Sequence, residues 1–280
     1  MVYLEGAILG AISGSGYALL AVSVTLMHRT TGVLSFAHAS FAMLAAYMYT
    51  DLATTQGLPV GIAATVALAV TVAYAALVER VAIRPVAAAS PAVKLIATLA
   101  VFALTSGVVG ARYGAAPNVS PFLLPDSTVR LFGLALPYQR IAGLLLAVLM
   151  TGGLGWLLRA SAFGIALRAT ADNPTAARLV GVSPARVGRF NWAFGGAAAG
   201  AVGILAAPLA SFNIATFPVL LTKAFTAALV GGLVSLPLAL AGAFVAHTDR
   251  RIDPQALVSF VLAYQRVRPL TILELWAVTI

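Results

Sequence analysis

Apolar runs of membrane length alternate with short polar stretches along most of the chain. The hydropathy pattern places spans at roughly 6–27, 33–53, 59–79, 93–112, 141–158, 190–210 and 218–246. A helix needs about 20 mostly apolar residues to cross hydrocarbon, and these runs meet or approach that length. The last run carries Gly231, Gly232 and Pro237, so it reads as a helix broken in the middle or as two short elements. A weaker run near 255–265 is too short for a regular crossing. The expected architecture is all-α: a polytopic membrane helix bundle of about eight transmembrane elements. One domain over residues 1–280 is expected, because no polar stretch is long enough to fold as a second.

Composition agrees with that pattern. The chain is 61% hydrophobic and 9% charged, against about 25% charged in soluble domains. Met1 to Glu5 carries no positive n-region, so the first run reads as a retained helix rather than a cleaved signal. Gly6, Gly10 and Gly14, and again Gly196 and Gly200, share a helix face. Small residues every four positions let membrane helices approach closely.

The charge of +9, from 17 Lys+Arg against 8 Asp+Glu, sets orientation here rather than suggesting nucleic acid. Segment 159–189 carries Arg159, Arg168, Arg178, Arg186 and Arg189 against Asp172, which places it in the cytoplasm. Counting back by single crossings puts Arg29, Arg80 and Arg84 inside as well. The N-terminus and the 113–140 loop then lie outside, with Arg130 and Arg140 as exceptions. Trp156 and Trp192 flank the inner loop, where amphipathic rings favour the interface. Arg250, Arg251, Arg266 and Arg268 all look cytoplasmic. Only 14 residues separate Arg251 from Arg266, too few for two crossings, so an interfacial or half-membrane segment is expected there. Residues 247–280 form an atypical tail.

Candidate chemistry is sparse. With no cysteine and three histidines, no disulfide framework, thiolate site or metal centre is expected. The lysines, Lys94 and Lys223, follow Val93 and Thr222, so no P-loop cradles a nucleotide. No nucleophile elbow or His-Glu-x-x-His occurs. No catalytic residue, cofactor or enzyme activity is therefore expected. Polar residues within spans are weighed singly. Lys223, near the outer end of its span, either marks a pathway or snorkels to the interface, and snorkelling is favoured. His38, near the inner end of the second span, either lines a path or bonds a neighbouring helix, and the structural role is favoured. Asp51, Asn191 and Asn213 sit at span ends and read as structural.

The inner loop is the most informative stretch. Asn173 is a good N-cap, Pro174 suits the first helical position, and Gly181 can take the left-handed conformation that ends a helix. A helix of about two turns follows, with Ala176, Ala177 and Val180 available for contact. Such a helix is marginal alone in water, so it must pack against something or be a solvated connector.

The stretch Gly164-x-Ala-Leu-Arg-Ala-x-x-x-Asn173-x-x-Ala176-Ala177-x-x-x-Gly181-Val182 resembles the coupling-loop signature of the branched-chain amino acid ABC transporter permeases. Gly16-Tyr-Ala-Leu-Leu, Thr31-Gly-Val-Leu-Ser-Phe-Ala-His38, Glu79-Arg-x-x-x-Arg84-Pro85, Ile96-Ala-Thr98, Lys223-Ala-Phe225 and Gly231-Gly-Leu-x-Ser-Leu-Pro237 match in order, over about residues 5–240. The likeness is to the smaller of the two paired permeases. Ser35 and Ala39 stand where the family usually has Asn and Gly, and the tail from Leu270 to Ile280 differs from the family's ending.

The resemblance implies an ABC importer permease in a bacterial inner membrane, carrying branched-chain or other small amino acids. It implies a second permease subunit in a hetero- or homodimer, two cytoplasmic ATP-binding subunits and a periplasmic or lipid-anchored solute-binding protein. The ATPase-coupling residues would be Gly164, Arg168, Asn173, Pro174, Ala176, Ala177, Arg178 and Gly181, with Arg186 nearby. The 113–140 loop, with Pro117, Pro121, Pro125 and Pro137, would receive the binding protein or be a plain connector. His38 and Lys223 are the candidates for the translocation path. The alternatives are a permease for urea or short amides, a stand-alone secondary transporter, or a degenerate subunit that moves nothing. Secondary transporters carry intramembrane ionisable groups, which are nearly absent here. The atypical tail is the support for the degenerate reading.

Overall fold

The computed structural model describes residues 2–125, 127–131 and 134–230. The expectations for Gly231, Gly232 and Pro237, for the 255–265 run and for the 247–280 tail lie outside the described residues. Helices α1 (Val2–Thr31), α2 (Ala37–Thr54), α3 (Val60–Val78) and α4 (Pro91–Tyr113) form the first half. A π-turn at Glu79–Ile83 and a 3-10 turn at Arg84–Val86 extend α3. A short antiparallel pair, β1 (Thr128–Leu131) and β2 (Leu134–Pro137), precedes α5 (Tyr138–Ala160). Then follow α6 (Ala162–Asp172), α7 (Pro174–Leu179), α8 (Pro184–Ala206) and α9 from Thr216 to Val230. The first five expected spans match helices within a few residues, α8 starts six residues before its expected span, and the 218–246 span is described only to Val230. Proline opens α4, α7 and α8, where its missing N–H costs no helical bond.

Among the described residues, four stretches are long and apolar enough to cross a membrane: Val60–Val86, Pro91–Tyr113, Tyr138–Ala160 and Pro184–Leu209. In the first three, 22%, 22% and 11% of the membrane-length window is buried, against 67% in the fourth. α3, α4 and α5 are therefore peripheral, and Ile62, Leu104 and Leu149 point outward from them. α8 is central, packed against α1, α2 and α3. Hydropathy cannot separate these roles, because a helix apolar all round is equally a core helix or a lipid-facing one.

Small residues on α8 make its central position feasible. A Cβ on Gly196 would lie 2.5 Å from Ala75 Cβ of α3, and one on Gly203 would collide with the Ala42 carbonyl of α2. Lipid tails are as apolar as leucine, so close van der Waals contact between backbones replaces the hydrophobic drive. The Gly196–Gly200 face expected from spacing is this contact; Gly203, one turn on, extends it.

The helix ends sort into two groups. At one end Asn191 Nδ2 of α8 donates to Thr30 Oγ1 of α1 at 2.5 Å, and the Phe36 N–H donates to Thr98 Oγ1. Arg84 grips the buried Glu79 carboxylate with Nη2 at 2.6 Å and Nε at 3.2 Å. At the other end Tyr49 OH donates to the Pro121 carbonyl at 3.0 Å, the Thr50 and Ser120 hydroxyls lie 2.9 Å apart, and Asn118 bridges to Phe212. Loops expected on the same side of the membrane thus meet, and the two sets do not mix.

Two expectations change. Trp192 is fully buried and packs edge-on against Phe41, with ring centroids 6.1 Å apart; it does not sit at an interface. The reason is that α8 begins at Pro184, so Trp192 lies two turns inside it. Asn191, expected at a span end, is buried for the same reason and ties α8 to α1. Trp156, by contrast, is 70% exposed on the outside of α5.

Gly203→Ala should lower thermal stability in detergent, because overpacking against a fixed backbone costs about 1–3 kcal/mol. Gly152→Ala, with open space at its Cβ position, should leave the melting temperature unchanged or raise it slightly. A melting series on the two variants checks this.

Candidate functional site

The basic end carries Arg29, Arg80, Arg84, Lys94, Arg159, Arg168, Arg178, Arg186 and Arg189 on helix ends and connections. Among the described residues the only ion pair is Arg84–Glu79, so Arg168, Arg178 and Arg186 stand exposed without a carboxylate. The π-turn places Glu79 beside Gly188 of α8, whose Cβ position is 3.5 Å from the carboxylate.

The 159–189 segment is folded rather than a solvated connector. Ser161 caps α6, its Oγ accepting the Gly164 N–H at 2.9 Å. A Cβ on Gly164 would strike the Leu157 and Leu158 carbonyls, so glycine is what allows α6 to turn back sharply onto the end of α5. Leu167 enters a cluster with Val22, Leu26, Leu154 and Val187, and the Phe163 and Phe190 rings meet edge-on at 4.8 Å. The sequence reading missed α6 as a separate helix. Its signal was Ser161 at N-cap spacing from Gly164, with Phe163, Leu167 and Thr170 at helical intervals.

α7 projects from this platform. Asn173 Oδ1 accepts the Thr175 and Ala176 N–H groups, each at 3.0 Å. At the other end Gly181 has φ +83°. There the Val182 N–H donates to the Ala177 carbonyl at 2.9 Å and the Gly181 N–H to the Arg178 carbonyl at 3.1 Å. This is a Schellman closure, which satisfies the last free carbonyls. One expectation of contact is reversed. Ala177 is 2% exposed, and α7 packs chiefly against α6 and α8. Leu179, which the sequence reading did not single out, is 85% exposed, and Val180 is 76% exposed. Ala176 and Arg178 are also exposed. Six helical residues have room for one anchoring side chain, and the 3.6-residue repeat then points the next two positions outward.

The path candidates lie apart from α7 and from each other. His38 is fully buried between α2 and α8; its Nδ1 lies 3.3 Å from the Ser35 carbonyl, and its Nε2 fills the space that Gly195 leaves. Lys223 is exposed on α9, with Nζ 5.3 Å from the centre of the Tyr17 ring of α1. A cavity of about 440 Å³ opens at the end opposite the basic one, between α1, α5, α8 and the 207–220 segment. Gln139 and Arg140 stand on it, and neither His38 nor Lys223 is among its lining residues. Gln139 is buried and braced, accepting the Leu124 N–H and donating to the Leu205 carbonyl.

A helical bundle with an apolar periphery of membrane length, and charged groups gathered at its ends, is an integral membrane protein. The chain matches the family described as "Branched-chain amino acid transport system / permease component" over residues 6–267, and it belongs to that family. It is 30% identical to a probable branched-chain amino acid transport permease protein, LivH, of Methanocaldococcus jannaschii, covering 93% of this chain and 81% of that one. It is 28% identical to the high-affinity branched-chain amino acid transport system permease proteins BraD of Pseudomonas aeruginosa and LivH of Escherichia coli K12. Those matches cover 86% and 84% of this chain, and 82% and 81% of theirs. No solved structure matches.

Asn173→Ala should cost α7 about 1 kcal/mol, and Gly181→Ala, which forces a Cβ into the left-handed region, about 1–2 kcal/mol. Amide exchange at Thr175 and Ala176 should quicken about fivefold or more in each variant, with exchange in α8 unchanged.

Proposed function

We propose that the chain is the membrane-spanning permease subunit of an ATP-driven importer for branched-chain or other small apolar amino acids, and that α7 is the element through which separate ATPase subunits drive it. The observation that carries this reading is α7 itself: a short helix closed at both ends, mounted on a packed platform, presenting Leu179 and Val180 at the basic end. Two exposed aliphatic side chains on a rigid, basic-flanked knob suit a groove on a partner protein, where apolar anchors ringed by charge carry most of the binding energy. The relatives' names supply the solute class.

The basic end then lies in the cytoplasm, as the distribution of arginines favours. The loop at the other end, pinned at Asn118, Ser120 and Pro121, faces a periplasmic or lipid-anchored binding protein, and the protein resides in the inner, or cell, membrane. Two cytoplasmic ATP-binding subunits and a second permease, the same or a similar chain, complete the assembly. ATP-driven closure of the motor subunits pulls α7, and the α6 platform passes the pull to α1, α5 and α8, which it contacts. Arg168, Arg178 and Arg186 supply charge around the contact.

Val180→Asp should cut leucine uptake by cells holding the complete system about tenfold or more, since losing an apolar anchor costs about 2 kcal/mol or more. The permease should still reach the membrane. Unchanged uptake would remove α7 from the coupling role. Ala177→Asp tests something else, because its burial makes it a folding variant.

A further inference from the structure

The cavity at the end opposite α7 has walls and charges that fit one chemical class of ligand. Its walls are mostly apolar, with Leu146, Val202, Phe217 and Leu220 among them, and Arg140 stands at its α5 edge. No described carboxylate pairs with Arg140. Thr216 and Leu220 of α9 line it, and Lys223 follows on the same helix face, at the i, i+4, i+7 spacing. At 1.5 Å per residue, Lys223 lies about 10 Å along the helix from Thr216. Its Nζ sits over the ring of Tyr17, and Tyr17 is itself a wall of the cavity. Beyond Lys223 the groove between α1 and α9 is closed by Ala18, Ala21, Ala227 and Ala228, packed together and buried. A volume of about 440 Å³ suits a small molecule.

We propose that this cavity and the groove between α1 and α9 that continues past it form an entry vestibule that holds a small apolar amino acid by its carboxylate, with Arg140 at the cavity's edge, Lys223 in the groove beyond the Tyr17 wall and the alanine cluster as the seal beneath. The proposal rests on the importer reading and deepens it by assigning the solute a site in this chain. A cation exposed on a membrane helix is costly in lipid and is retained where it faces a ligand or a polar path. Cation–carboxylate pairing in a largely apolar pocket is strong and orienting. Lys223 and Arg140 share that role from two helices, so a carboxylate passes from one to the other as it descends.

The sequence contains no cysteine, so Leu220→Cys gives this chain a single thiol. In right-side-out vesicles carrying the complete complex, a membrane-impermeant maleimide should label Leu220→Cys and spare Ala227→Cys. Millimolar leucine should slow the labelling several-fold, and leucinamide, which lacks the carboxylate, should not. Adding Lys223→Met should abolish the protection and lower maximal leucine uptake about tenfold or more. Lys223→Arg should keep both, which separates a charge requirement from a packing defect. Labelling only by a lipid-soluble maleimide would mean that the groove holds lipid, and would overturn the assignment. Wild-type uptake of leucine with full protection retained in Lys223→Met and Arg140→Gln would overturn the vestibule while leaving the importer reading standing. No leucine uptake by the wild-type complex would overturn both.

Discussion

The structure depends on the contact that α8 makes through its glycines. Gly196 receives Ala75 of α3, and Gly203 receives the backbone of α2 at Ala42. In lipid, helices gain nothing by hiding apolar surface from one another, so association rests on how closely the backbones approach. Around α8, α1 is tied by Asn191 to Thr30, and α3 is held at its end by the Glu79–Arg84 pair beside Gly188. The peripheral helices α4 and α5 contribute far less buried surface. A bundle built this way has a fixed centre and a looser rim.

The two ends of α8 serve different parts of the molecule. At the basic end it shares Val187 with the cluster that seats α6, so a displacement of α7 reaches the central helix through packed side chains. At the other end Val202 lines the cavity and Leu205 accepts from Gln139. One rigid helix about 35 Å long thus touches both the proposed docking element and the proposed vestibule. That geometry suits alternating access, in which a pull at one end changes the opening at the other.

Much of the fold was legible from hydropathy, because a crossing helix must be apolar over a fixed length. Arginine placement also anticipated which loops meet. What hydropathy could not show was which spans face protein. Trp192 and Asn191 looked like residues at a span end because the apolar run seemed to start near 190, whereas Pro184 opens the helix earlier. The caps of α7 were legible because Asn173 and Gly181 have strong local preferences. Its facing was not: whether Ala177 or Leu179 turns outward depends on how α6 seats it, and α6 depends on a backbone approach at Gly164 that no periodicity encodes. The β1–β2 pair was hidden in a segment whose prolines read as a connector. His38 was judged to bond a neighbouring helix; it is completely buried, but its Nδ1 faces the Ser35 carbonyl one turn before it and no described group bonds its Nε2.

The central claim is that α7 is where a motor protein grips this permease. A photo-crosslinking amino acid at position 180, in cells expressing the whole transport system, tests it most directly, with position 119 at the opposite end as the reference. Adducts to an ATP-binding subunit from position 180, and none from 119, are the result this account predicts. Adducts from position 180 to the solute-binding protein, or to no protein at all, would contradict it.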